Sequence, residues 1–196
     1  TYSAAKNFTT SSDTFYIFYD ANGGTGAPDE QTKQLDVDIQ LSTIIPVRSG
    51  YTFKGWATSK SSTTVKYASG ATYSANADLD LYAVWEADTY TVTYNANGGS
   101  NAPASQTKTH DSPLVLTSSV PTRTGYDFMG WSINSSATSA EYTSGASYTN
   151  NASVTFYAVW KAKTYTISFD ANGGSGAPAT QIKTHGVNLV LSSVKP

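Results

Sequence analysis

Hydrophobic and polar residues alternate along three short runs of this chain, and the three runs are copies of one another. Phe15, Ile17 and Tyr19 lead the first, Tyr90, Val92 and Tyr94 the second, and Tyr165, Ile167 and Phe169 the third. A period of two predicts a strand with one face turned to a core. Each run meets Ala-Asn-Gly-Gly, at 21–24, 96–99 and 171–174. Asn followed by paired Gly admits positive φ, so a sharp turn is predicted there, with a Pro-containing loop after it. A short apolar segment comes next, Ile39 and Leu41 in one copy and Leu114 and Leu116 in the next, ending at Pro46 and Pro121. Its period fits a strand or a short helix equally.

Two further segments complete the unit. In Gly-Tyr-x-Phe-x-Gly-Trp, Tyr51 and Phe53 share one face of a strand, and Gly55 interrupts the alternation just before Trp56. That pattern predicts a bulge that redirects the indole, with Gly130 and Trp131 doing likewise. Leu79, Leu81, Ala83 and Trp85 then alternate inward, copied by Val154, Phe156, Ala158 and Trp160.

The repeat is 75 residues long and needs no gaps. Trp56 maps to Trp131 and Trp85 to Trp160, while Gly23, Gly98 and Gly173 repeat the step twice, as do Pro28, Pro103 and Pro178. Such self-similarity outranks a domain count based on length. The organisation read from it is an N-terminal segment at 1–13, module one at 14–88, module two at 89–163 and an incomplete third module at 164–196. Only four residues separate Trp85 from Tyr90, without Gly or Pro, so the modules should follow one another stiffly in an elongated arrangement. The opening without Met suggests an internal fragment of a longer protein.

Composition narrows the function classes. Charged residues make up 13% against about 25% in an ordinary domain, while aromatics reach 13%. The net charge of −2, with no basic cluster, argues against nucleic acid as a partner. Without cysteine there are no disulfides or thiolate metal sites, so a small module must hold together by packing. No apolar run approaches the roughly 20 residues of a membrane span.

The runs Tyr-x-Val-x-Tyr-Asn-Ala-Asn-Gly-Gly (90–99), Gly-Tyr-Asp-Phe-Met-Gly-Trp (125–131) and Phe-Tyr-Ala-Val-Trp (156–160) together resemble the Listeria-Bacteroides repeat, the internalin B-repeat-like module. The resemblance covers both complete modules and the front of the third. It implies an α+β, mostly β fold: tandem small β-grasp-like modules, each a twisted sheet crossed by a short helix or helical turn. It also implies an extracellular place on the bacterial cell surface or cell wall of a Gram-positive bacterium, with roles in spacing, adhesion or signalling. It carries no catalytic motif.

Candidate chemistry is thin. His110 and His185 are equivalent, but Leu35 takes that position in module one, so they read as exposed loop residues rather than bases or ligands. Asp20 and Asp170 begin what could pass for a calcium loop, yet no bidentate carboxylate follows and Asn95 replaces Asp20 in module two. No Gly-x-Ser-x-Gly elbow or recurrent Ser/His/Asp set is present. Asp29, Glu30, Asp36 and Asp38 cluster only in module one, as a solvated loop. The sequons at Asn7, Asn134 and Asn151 are discounted for a bacterial protein. What recurs is core, turn and bulge, while titratable groups do not. No catalytic residue, cofactor or metal is expected.

Aromatic stacking on a sugar is the strongest functional alternative, with Tyr73, Tyr82, Tyr148 and Tyr157 as the rings expected to be exposed. A third reading is an accessory region of a secreted enzyme. Tyr16 and Phe18 occupy the second face of the first strand, where the other copies carry Thr91, Thr93, Thr166 and Ser168. Something should cover that face, with Tyr2 and Phe8 or an upstream domain as candidates. The third copy lacks the segments that complete its core, so 164–196 should pair with another chain or with module two. The expected partners are therefore a host or extracellular protein or a glycan, plus strand-mediated self-association through 164–196, with no membrane insertion.

Overall fold

The computed structural model describes residues 13–196. They divide into two compact units at the Asp88–Thr89 junction. In the first, β1 (Thr14–Asp20) forms an antiparallel hairpin with β2 (Gln31–Gln34), placing Phe15 opposite Lys33 and Ile17 opposite Gln31. On its other side β1 meets β6 (Leu79–Ala87) in parallel, Ile17 opposite Leu79 and Tyr19 opposite Leu81. The edge strand β4 (Tyr51–Ala57) is antiparallel to β6, giving the order β2-β1-β6-β4.

A parallel pair requires a long crossover. Here the crossover carries β4 and a small two-stranded sheet of β3 (Ile39–Gln40) and β5 (Thr72–Tyr73). The ambiguous apolar segment is therefore a strand. Mostly β holds, but the helical component implied by the α+β, β-grasp-like expectation has no counterpart among the described residues. Pairing accounts for this: Ile39 and Gln40 ladder with Tyr73 and Thr72, Leu114 and Val115 with Tyr148 and Ser147, and the Leu41 and Leu116 amides donate to the Ala71 and Ala146 carbonyls, both at 2.9 Å.

The bulge forms as the glycine spacing predicts. The register between β4 and β6 shifts between Phe53 and Gly55, whose φ of 143 few other residues adopt, and Trp56 turns fully inward. Trp56 packs with Ile17, Leu41, Tyr73, Leu79, Leu81 and Ala83, rimmed by Tyr19, Phe53, Tyr67 and Trp85. A unit this small buries a limited share of its surface, so wide aromatic side chains carry much of the apolar burial.

The second unit repeats the plan. Strands β7 (Thr89–Asn95), β8 (Gln106–Thr109), β10 (Tyr126–Ser132) and β12 (Val154–Ala162) are ordered β10-β12-β7-β8, beside the small pair β9 (Leu114–Val115) and β11 (Ser147–Tyr148). Its core is Val92, Tyr94, Leu116, Trp131, Tyr148, Phe156 and Ala158. The two cores exchange volume: Leu81 becomes the larger Phe156, while Ile17 and Leu79 become the smaller Val92 and Val154.

A hairpin follows, β13 (Thr164–Ile167) with β14 (Gln181–Thr184). Among the described residues these two strands pair only with each other. The consequence shows at Leu191, which is 57% exposed where its counterparts Leu41 and Leu116 are 1% exposed. The segment touches module two through His185, not through an added strand. The His185 ring stands 5.3 Å from that of Tyr126, edge to face, and its amide donates to the Lys163 carbonyl at 2.8 Å.

Candidate functional site

The Ala-Asn-Gly-Gly turn is where each module closes on itself. Asn22 and Asn97 take φ of 49 and 47, the left-handed region that Asn tolerates. Their side-chain amides donate to the Ala83 and Ala158 carbonyls on the closing strand, both at 3.0 Å. In return that strand's indoles donate back, Trp85 to the Ala21 carbonyl at 3.0 Å and Trp160 to Ala96 at 2.9 Å. The second glycine of each pair serves this contact. A Cβ on Gly24 would lie 2.6 Å from the Trp85 ring, and one on Gly99 2.7 Å from Trp160.

The tyrosines expected to be exposed separate into two groups. Tyr73 and Tyr148 are buried, at 5% and 3% exposure, which corrects the expectation of exposed rings. The reason is the small sheet: β5 and β11 fold back on β3 and β9, and the phenols donate to the Ala77 and Ala152 carbonyls. Burial pushes both phenol pKa values up, with neighbouring Tyr67 and Tyr142 adding to the effect. Tyr19 and Tyr94 are raised likewise by burial, opposed by hydrogen bonds from the Ser42 and Thr117 amides. Tyr82 and Tyr157 are half-buried on the outer sheet face.

That outer face differs between the copies. In module one Tyr16 and Phe18 are 42% and 43% exposed, their rings 6.3 Å apart and within 24° of parallel. Phe18 lies opposite Asp80 and Asp20 opposite Tyr82, and these four line an open cleft of about 200 Å³ with Tyr19 and Leu81. Tyr2 and Phe8, the expected cover, lie outside the described residues. Module two presents Thr91, Thr93 and Asn95 on the same strand face.

The histidines are not exposed loop residues. His110 follows β8 in a turn with its side chain only 13% exposed, and its Nδ1 is 2.8 Å from the Tyr90 hydroxyl. His185 is half-buried over Gly125, where a Cβ would meet its ring at 2.2 Å.

A titratable group does recur, contrary to the sequence reading. Lys33 and Lys108 are fully buried, and each amine donates to an asparagine side chain, Asn76 at 2.7 Å and Asn151 at 2.9 Å. The signal was present in the sequence, since Lys33, Lys108 and Lys183 keep the 75-residue step, as do Asn76 and Asn151. Among the described residues no group of three or more His, Asp or Glu is placed to hold a metal ion. Among the described residues there is no helix long and apolar enough to cross a membrane.

Comparison with known proteins agrees with the repeat. The Listeria-Bacteroides repeat domain matches residues 15–84 and 90–159. A protein named as a Gly-rich membrane protein of Evansella cellulosilytica is 32% identical over 130 residues, covering 66% of this chain and 15% of that protein. A second protein of that organism, named as a membrane protein, is 29% identical over 166 residues, 82% of this chain and 23% of its own length. Internalin H of Listeria monocytogenes is 31% identical over 112 residues, 55% of this chain and 20% of internalin H. The chain thus spans less than a quarter of each relative. Family matches over two successive stretches that make up more than half of the chain, coinciding with two sheets that share turn, bulge and indole contacts, mean that it belongs to the Listeria-Bacteroides repeat family.

Proposed function

We propose that this chain is a non-enzymatic repeat segment of a bacterial cell-surface protein, serving as a spacer that sets a recognition domain away from the surface. The observation that supports this reading is what the two modules share. Asn22 and Asn97, Gly55 and Gly130, Trp85 and Trp160 all maintain the fold, and the strands of successive copies follow with one residue between them, Asp88 or Lys163. Both connecting residues are tied down by equivalent bonds, Asp88 donating to the Gly50 carbonyl and Lys163 to that of Gly125, each at 2.9 Å. A short, hydrogen-bonded connection suits a stalk better than a hinge. The relatives named as membrane proteins and an internalin support a surface setting. To test this, a reporter binding domain is displayed on cells above one, two or three complete modules. Access of a bulky ligand should rise with module number at constant intrinsic affinity, and access indifferent to module number would remove the spacer reading.

A second reading is favoured by the outer face of module one. Two exposed, nearly parallel rings, Tyr16 and Phe18, beside Asp20, Asp80 and Tyr82 provide stacking surface and hydroxyl acceptors suited to a glycan. Glycan-array binding that disappears in a Tyr16→Ser/Phe18→Ser double variant supports it. No retained glycan in the unaltered chain defeats it.

A further inference from the structure

The buried lysines carry an inference that neither the repeat nor the spacer role requires. Lys33 has no solvent exposure, and its amine donates to the Gln34 carbonyl at 3.1 Å and to Asn76 Oδ1 at 2.7 Å. Among the described residues no carboxylate forms an ion pair with it. The Phe15 ring lies 5.6 Å from the amine. An ammonium held out of water by neutral acceptors is an expensive arrangement, and natural cores avoid it unless the group is paired or used. Here it is repeated. Lys108 is equally buried and donates to Thr109 at 2.8 Å and Asn151 Oδ1 at 2.9 Å.

The asparagine amide is held as an acyl group is held for transfer. The backbone amide of Asp36 donates to Asn76 Oδ1 at 3.0 Å, so that oxygen has a fixed donor besides the lysine. The Asp36 carboxylate accepts from Asn76 Nδ2 at 2.7 Å, placing an acid–base group on the nitrogen that would leave. Asp36 does both because it sits at φ 55, a conformation that costs a non-glycine residue free energy. Module two reproduces each element: Asp111 at φ 55, its amide 2.9 Å from Asn151 Oδ1 and its carboxylate 2.8 Å from Asn151 Nδ2. In the third copy Lys183 recurs, but Gly186 replaces the aspartate. A donor on the oxygen, an acid on the leaving nitrogen and a desolvated amine at the carbonyl are the parts of an acyl-transfer site.

We propose that Lys33 and Asn76, and likewise Lys108 and Asn151, join in intramolecular isopeptide bonds, with Asp36 and Asp111 as the proton-transferring residues. As Nζ closes on the asparagine Cγ the ammonium gives up one proton to the aspartate carboxylate, which lies across the asparagine amide from it and forms no ion pair with it before the reaction, and the neutral Nζ attacks Cγ. The Cγ–Nδ2 bond breaks as the aspartate returns that proton to the departing nitrogen. The second amine proton passes to the released ammonia, which leaves as ammonium. Asn76 and Asp36 lie on the exposed rim, giving the product a path to water. The balance needs no oxidant and no outside reactant. Each bond replaces a buried charge with a neutral amide, and the one at Lys33 ties β2 to the loop entering β6, 43 residues away.

Intact mass spectrometry of the denatured full chain tests this. The expected mass is below the sequence mass by two molecules of ammonia, with the losses located to linked Lys33–Asn76 and Lys108–Asn151 peptides after digestion. Lys33→Arg and Asp36→Ala should each restore one ammonia, the module-two bond in the same molecule remaining as the internal control. A folded chain at its full sequence mass overturns the proposal. So does a deficit that maps to succinimides at the Asn-Gly pairs 22–23, 97–98 or 172–173, which lose the same mass and survive Lys33→Arg.

Discussion

The Trp85 indole donates to the Ala21 carbonyl at 3.0 Å, across 64 residues of sequence, and Trp160 makes the same bond to Ala96 in the second module. This contact fastens the end of the closing strand to the turn after the opening strand. Trp85→Phe keeps much of the ring but removes the indole donor, leaving the Ala21 carbonyl with the Gly24 amide alone, so a loss of about 0.5–1.5 kcal/mol is expected. Urea unfolding should show the loss in module one, with the module-two transition unchanged because its own indole bond is intact.

The exchange of volume between the cores predicts a non-additive set. Leu81→Phe alone inserts a ring where Ile17 and Leu79 already fill the space and should cost about 1–3 kcal/mol. Adding Ile17→Val and Leu79→Val copies the second core, in which Phe156 lies 5.0 Å from Tyr142 and 5.5 Å from Tyr148. The triple variant should recover most of the loss. Chemical denaturation of the single, double and triple variants measures the coupling.

Gly55→Ala and Gly130→Ala each place a side chain at φ 143 or 133, and the new Cβ would lie 2.9 or 2.5 Å from the Tyr67 or Tyr142 carbonyl oxygen. The indole that follows in each case, Trp56 or Trp131, is fully buried. A loss of at least about 1–3 kcal/mol is expected for either substitution. A shift in buried-indole fluorescence together with a lowered urea midpoint would report it.

Alkaline pH should destabilise both modules. Tyr19, Tyr73, Tyr94 and Tyr148 have pKa values raised by burial, so the folded state holds their protons more tightly than the unfolded chain does. That contribution is complete below the ordinary tyrosine value of about 10 and is lost as pH climbs from there through the folded values. Unfolding free energy measured from pH 8 to 11 should be level at first and then fall. Tyr73→Phe and Tyr148→Phe together should reduce the slope of the fall.

Period-two runs made β1, β7 and β13 legible in the sequence, and the Gly-Trp pairs revealed both bulges, because each depends on neighbours within a few residues. What escaped notice depends on distant partners. Tyr73 looks like an isolated loop aromatic until β5 pairs with β3, where Tyr73 faces Ile39. Lys33 reads as a surface residue because its burial is set by β1 and by Asn76, although its recurrence at Lys108 was in plain sight. The apolar segment at Ile39 and Leu41 fitted two periods, and pairing with the distant Thr72 and Tyr73 decided between them.

Solution scattering from arrays of one, two and three complete modules tests the spacer account most directly. A rod of stacked compact units should gain a constant increment in maximum dimension, about 30 Å per 75-residue module. A maximum dimension that grows only as the cube root of mass, as in modules collapsed on one another, would contradict it.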